Sequence, residues 1–313
     1  MTIVTLFAAV SIAFPPEGAK LPYLERCYVM GAADAGEENV AVYRDVSSVR
    51  WFGRVTRSGA WATVINVVPG RTNIVYAGEV RRAFFVTGTN GTSGTSRTYK
   101  KLEYAGDSAK PHPAGKKPEE ITVVLDAGHG GPSTGAVSPH GLPEKDVNLR
   151  LAKAVRDVLV KRGYKVIMTR EDDVDIDLYD RPKVAHRANA DLFVSIHHNA
   201  PGHASNPFGI RYQAVYAWNG IGEKLAKAIN ARMAAADPAL ENEGVLHANF
   251  AVTRNPEIPS CLIEADFITH PDGELAAWDA ARRPAVAAAI ADGIADWVAG
   301  GLPAGRRQGL EAH

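Results

Sequence analysis

The stretch 147–170, VNLRLAKAVRDVLVKRGYKVIMTR, decides the fold class of the larger part of this chain. Val147, Leu151, Val155, Val158 and Leu159 recur at helical spacing, so one face of a helix is apolar. Gly163 then stands where a helix needs a C-terminal stop. The period changes at once: YKVIMTR is short and apolar, as a buried strand is. The same texture extends in both directions. ITVVLD (121–126), DLFVSI (191–196), RYQAVYAW (211–218) and PSCLIEA (259–265) read as further strands. Ile221, Leu225, Ile229 and Met233 form a second helical stripe. Val286, Ile290, Ile294 and Trp297 form a third, with Pro284 suited to its first turn. Strands alternating with amphipathic helices predict an α/β domain over 121–299, a mostly parallel sheet with helices on both faces.

Residues 12–87 have another character. The runs CYVMGA, NVAVY, VRWFGRV, AWATVINVV, TNIVYAG and RAFFV are separated by turn residues such as PGRTN, without helical period. Regular short strands of this kind predict a small all-β, Ig-like sandwich over 1–87. Residues 88–120 are rich in Gly, Ser, Thr, Pro and Lys, the composition of a flexible linker, and 300–313 reads as a tail. A linker of that kind lets two domains fold separately, so residues 1–119 are expected to be removable without unfolding the second domain. The first eleven residues have the apolar core and small-residue site of a short signal segment. No Lys or Arg precedes them, however, and SIAFPPEG reads equally well as a first strand ending in a Pro-Gly turn.

The totals narrow the function. A chain of 313 residues suits two domains. Lys plus Arg and Asp plus Glu are equal at 35 each, which leaves no global basic field, so nucleic acid is not an expected partner. Cys27 and Cys261 are the only cysteines and are far apart, so neither a disulfide framework nor a thiolate zinc knuckle is available. No run reaches the roughly 18–20 apolar residues of a membrane span.

In an open α/β sheet, ligands bind beyond the carboxyl ends of the strands. VVLDAGHGG places His129 in a glycine-rich loop, FVSIHHN places His197 at a strand end, and CLIEADF does the same for Glu264. Glu144, in GLPEKDVNL, falls at the start of the helix that begins near Pro143. Two imidazoles and one carboxylate, with a fourth position open, are a ligand set for catalytic zinc, and a further carboxylate can act as general base. Spacing alone does not rank Glu144 and Glu264 between those roles. Because consecutive strand residues point to opposite faces, only one of His197 and His198 can face the metal. Asp126, just before the glycine loop, suits a supporting acceptor. Arg170 and Arg181 suit ties between sheet and helix.

Five segments, VVLDAGHGG, GLPEKDVNLRLAKAV, GYKVIMTREDD, RPKVAHRANADLFVSIHHNA and IPSCLIEADFITHPD, in this order, resemble the zinc-dependent N-acetylmuramoyl-L-alanine amidases of bacterial cell walls over residues 121–299. The resemblance implies that His129, Glu144 and His197 bind Zn2+ and that Glu264 is the catalytic carboxylate. It implies hydrolysis of the amide between N-acetylmuramic acid and L-alanine in peptidoglycan, by a protein exported to the periplasm or cell envelope. The rival readings are a zinc peptidase and a non-catalytic wall-binding module. His198 replaces the family's usual small residue and is expected on the substrate or solvent side. Asp266 and His270 also depart from the family pattern beside the expected base. Some family members carry a helical plug after the strand histidine, which needs on the order of 20 residues. Here the corresponding stretch is HNAPGHASNPF, with two prolines, so no obligatory activator protein is expected.

Overall fold

The computed structural model describes residues 9–34, 36–44, 49–88, 110–218, 220–255 and 257–300. Most of the candidate signal, most of the polar stretch before residue 110, and the tail beyond residue 300 lie outside the described residues.

The N-terminal strands are β1 (Lys20–Leu21), β2 (Arg26–Ala32), β3 (Asn39–Arg44), β4 (Arg50–Val55), β5 (Ala60–Asn66), β6 (Arg71–Ala77) and β7 (Val80–Val86). They form one sheet in the order β1-β7-β6-β3-β4-β5-β2, antiparallel throughout except for the β1–β7 pair. Inward residues from β2, β3, β5, β6 and β7 meet in a single apolar cluster that includes Val29, Val42, Trp61, Val75 and Phe84. The sheet therefore curls around its core, where the strand pattern predicts two packed sheets. Alternation marks which residues face inward; it does not specify whether the strands split between two sheets.

The second body contains β8 (Thr122–Ala127), α1 (Glu144–Lys161), β9 (Lys165–Met168), α2 (Arg181–Arg187), β10 (Leu192–Asn199), β11 (Gln213–Ala217), α3 (Gly220–Ala236), β12 (Asn242–His247), β13 (Ser260–Phe267), α4 (Pro271–Trp278) and α5 (Arg282–Val298). The sheet order is β12-β11-β13-β10-β8-β9, parallel except for β11 against β13. Helices α1, α3 and α5 cover one face, where Leu151, Val155, Leu225, Ile229, Ile290 and Ile294 share a core with the inward side chains of the strands. Each such fully buried aliphatic side chain contributes about 1.5–3 kcal/mol. The other face is covered by α2 and residues 251–258, through Ala185, Val252 and Ile258 against Phe193. A Cβ at Gly293 would strike the α3 backbone at Ile229, so glycine is what lets α5 approach α3 this closely.

The apolar periodicity found the long elements and passed over α2, α4 and β12. Helix α2 buries little beyond Arg181 and Ala185, and β12 is an edge strand with no fully buried residue, so neither carries an apolar stripe. Residues 110–120, at the end of the polar stretch, run along this second body. Lys110 Nζ donates to the carbonyls of Asn189 and Ala190, Lys116 pairs with Asp191 at 2.8 Å, and His112 sits edge-on against Trp297.

Candidate active site

Strands β8, β10 and β13 are adjacent and parallel, so their carboxyl ends open onto the same edge of the sheet. The loop after β8 turns at His129, whose φ of 61° lies in the left-handed region that a non-glycine residue enters only at a cost. Its surroundings hold it there. Asp126, fully buried, accepts from Thr169 Oγ1, Ser195 Oγ and Arg181 Nη1 at 2.6, 2.6 and 2.9 Å. Arg181 also donates to the carbonyls of Ala127 and His129, and Arg170 to those of Ala127, Gly128 and Lys145. The predicted supporting role of Asp126 and the ties made by both arginines are thus visible as one buried network that shapes the glycine loop.

At the open edge three donors converge. His129 Nε2 lies 3.3 Å from Glu144 Oε2, and His197 Nδ1 lies 2.9 Å from Glu144 Oε1. Ligand atoms of His129, Glu144 and His197 all fall within 4.8 Å of one another, a grouping that can hold a metal ion. Glu144 is the first residue of α1, where a carboxylate is favoured. It also accepts from the Ala136 N–H at 2.8 Å and from Asn148 Nδ2 at 2.9 Å. Burial alone would raise its pKa; hydrogen bonds and charge from His129 and His197 outweigh that and hold the carboxyl well below its usual range. His129 Nδ1 lies 3.1 Å from Ser133 Oγ, which leaves Nε2 turned toward Glu144. A side chain at Gly128 would overlap the His197 ring, so this glycine makes room for the imidazole.

Glu264 is the ladder partner of His197. It is half-buried, and its Oε2, itself shielded from solvent, has no hydrogen-bond partner among the described residues. Burial, and then the charge of Glu144, push its pKa well above the ordinary carboxylate value. The structure groups Glu144 with the two histidines and leaves Glu264 beside them, a distinction that spacing did not make.

His198 is not a solvent group: it is 3% exposed, with Nδ1 2.9 Å from Asn148 Oδ1 on α1, and it borders the smaller of the two clefts beside Glu264. Burial pushes its pKa down to about 4, so it is neutral at pH 7 and donates to Asn148, which in turn donates to Glu144. Asn148 was not singled out in the sequence, although its place one helical turn after Glu144 was a usable signal. Asp266 is engaged by Arg211 and Arg282, and His270 caps α4 by accepting the Asp272 N–H. Two clefts flank Glu264. One of about 370 Å3 is bordered by Ala136, Asn199 and Pro201; the other, of about 620 Å3, by Asp175, Arg181 and Asn249.

A His-Glu-His donor set at the carboxyl edge of an α/β sheet, with a second carboxylate at its side, can hold a metal ion and support hydrolysis. The family model described as N-acetylmuramoyl-L-alanine amidase matches residues 123–296, and the chain belongs to that family. It is 32% identical over 238 residues to the N-acetylmuramoyl-L-alanine amidase AmiA of Escherichia coli K12, covering 62% of this chain and 81% of that one. Among solved structures, AmiC2 of Nostoc punctiforme superposes with a TM-score of 0.55 at 32% identity, over 58% of this chain and 99% of that one. The catalytic domain of CwlV from Bacillus (Paenibacillus) polymyxa gives 0.54 at 32% identity, over 57% and 98%.

Proposed function

We propose that the protein is a zinc-dependent amidase that hydrolyses the bond between N-acetylmuramic acid and L-alanine in peptidoglycan. His129, Glu144 and His197 would hold the ion. The observation that carries the reading is the convergence of those three side chains within 4.8 Å, with the buried, unpartnered Oε2 of Glu264 beside them. The donors fit zinc: two imidazoles, each ring shaped by its own neighbour, and one ionised carboxylate. When bound, the ion supplies Lewis acidity toward an amide carbonyl and a water.

The chain's own residues account for the proton. Glu264, with its pKa raised and Oε2 free, takes the proton of the attacking water and returns it to the leaving amine nitrogen. Asn148 and the Ala136 N–H orient Glu144 throughout. The network of Asp126, Arg170 and Arg181 holds the His129 loop in its strained turn.

The reading places the enzyme in the cell envelope, acting on peptidoglycan; no helix among the described residues is long and apolar enough to cross a membrane. One solved relative, the CwlD amidase of Clostridioides difficile, was determined in complex with the GerS lipoprotein. Here, residues 200–212 form turns with no helix, which supports activity without a protein activator. The test is purified protein with stoichiometric zinc on isolated walls. Mass spectrometry should find peptides with a free L-alanine amine, and a chelator should stop their release. Cleavage only within the stem peptide would favour the peptidase reading.

A further inference from the structure

The smaller cleft beside Glu264 is not walled by the catalytic domain alone. Phe14, Pro16 and Tyr28 of the N-terminal domain line it together with His129, His197 and Glu264. Two joints seat them there. The Tyr28 N–H, on edge strand β2, donates to the His203 carbonyl at 2.8 Å. The Phe14 ring lies parallel to the His203 imidazole with centroids 5.4 Å apart, and Tyr28 packs against Phe14 at 4.5 Å. At the second joint, His140 Nε2 meets the Ser58 carbonyl at 3.1 Å, while its Nδ1 meets buried Glu274 at 2.7 Å. His203 follows β10, the strand that carries His197, and His140 precedes Glu144 in the loop leading to α1. The N-terminal domain is therefore fastened to both segments that deliver the metal-binding cluster.

The two clefts also differ in chemistry. Among the described residues, apart from Glu144 and Glu264, the smaller one is lined by no carboxylate, lysine or arginine; beside the imidazoles of His129, His197, His198 and His203, its wall is Phe14, Pro16, Ala200 and Pro201 with Thr134 and Asn199. The larger one sets Asp175, Asp177 and Arg254 into a wall that also holds Ile176, Leu178, Phe250 and Leu262, while Arg181 at its base is already paired with Asp126. The substrate of an amidase has the same asymmetry: a stem peptide carries ionised groups, whereas the sugar beyond the scissile amide is neutral and presents apolar C–H faces. Resting on the amidase reading, we propose that the cleft walled by Phe14, Pro16 and Tyr28 binds the N-acetylmuramyl sugar and that the charged cleft takes the peptide. The N-terminal domain is then part of the substrate site.

Zinc-loaded full-length protein is compared with Phe14→Ala, Phe14→Leu and Pro16→Trp. Phe14→Leu keeps an apolar side chain against Tyr28 and His203, and Pro16 is exposed, so at least these two variants fold. Two readouts are taken: kcat and KM on a soluble muramyl peptide, and calorimetric binding of an N-acetylglucosamine trimer, which contains no scissile amide. Loss of an aromatic wall should raise KM about three- to tenfold with kcat within about twofold, and weaken trimer binding similarly. Pro16→Trp should obstruct both. Unchanged KM and unchanged trimer affinity in all variants would overturn the proposal. Trimer binding that depends on Phe14 in a wild-type protein unable to release L-alanine peptides would keep the sugar site and refute the amidase reading instead.

Discussion

Replacing Arg181 by Met removes the guanidinium that closes the buried network under His129. Its lost bonds are those to Asp126 Oδ1 at 2.9 Å, the Ala127 carbonyl at 3.0 Å and the His129 carbonyl at 2.8 Å. Both partners of the ion pair are buried, at 5% and 0% side-chain exposure, so the substitution strands a carboxylate with only the hydroxyls of Thr169 and Ser195. Breaking a buried pair from one side costs about 3–5 kcal/mol. The left-handed turn at His129 also loses a restraint, and relaxation of such a turn releases about 1–3 kcal/mol of strain in a direction that moves the imidazole. Zinc affinity should therefore fall by about 10- to 100-fold, as for other groups that orient metal ligands. Urea unfolding gives the first number and competition with a chromophoric chelator the second. The double variant Asp126→Asn/Arg181→Met removes the stranded charge and should be more stable than Arg181→Met alone. Strict additivity of the single effects, or a zinc affinity within twofold of wild type, would refute the coupling between this pair and the His129 loop.

Glu264→Gln should keep zinc stoichiometric while turnover falls by about two orders of magnitude or more, the scale of general-base loss; metal analysis and product release check it together. Because burial raises Glu264, its charged form appears only above the ordinary carboxylate range, so the acid limb of the wild-type rate profile should lie higher in pH than a free carboxylate would place it. His197→Ala should lose zinc and His198→Asn should retain it, since only the former belongs to the donor cluster. His198 is held neutral down to about pH 4, whereas the unfolded imidazole titrates near 6.5. The folded protein should therefore lose up to about 3 kcal/mol as pH falls from about 6.5 to 4, with no change above that window, and denaturation of His198→Asn should show a shallower dependence. A chain beginning at Lys110 should unfold at higher urea than one beginning at Ile121, because only the former keeps the contacts of Lys110, His112 and Lys116.

The elements with a wide apolar stripe were legible in the sequence: Val147, Leu151, Val155 and Leu159, and Val286, Ile290, Ile294 and Trp297, are buried as their spacing predicts. So was the divergence of His197 and His198, which follows from the pleat alone. What the pleat does not say is what waits on the far side. The burial of His198 was not legible because no residue near it in sequence offers a partner; Asn148 reaches it from α1, 50 positions away. The same limit applies to Asp266, whose partners Arg211 and Arg282 come from separate parts of the chain. The N-terminal wall of the smaller cleft was equally hidden, since Phe14 and Tyr28 fit an apolar core pattern as well as they fit a cleft. Composition marked 88–120 as a linker. The burial of residues such as Pro113 near its end is a tertiary fact with no local signature.

The pairing of His197 with Glu264, and of Ser195 with Asp126, sits on the ladder of β10 with its two neighbours. A one-residue insertion in β10 or β13 would turn every following side chain to the opposite face and uncouple Glu264 from the His129, Glu144 and His197 cluster. Insertions after residue 199, in the turns that precede β11, leave that register untouched. The molecule thus separates a part that cannot be edited from one that can: the rim after residue 199 can be lengthened or shortened while His197 and Glu264 stay in frame.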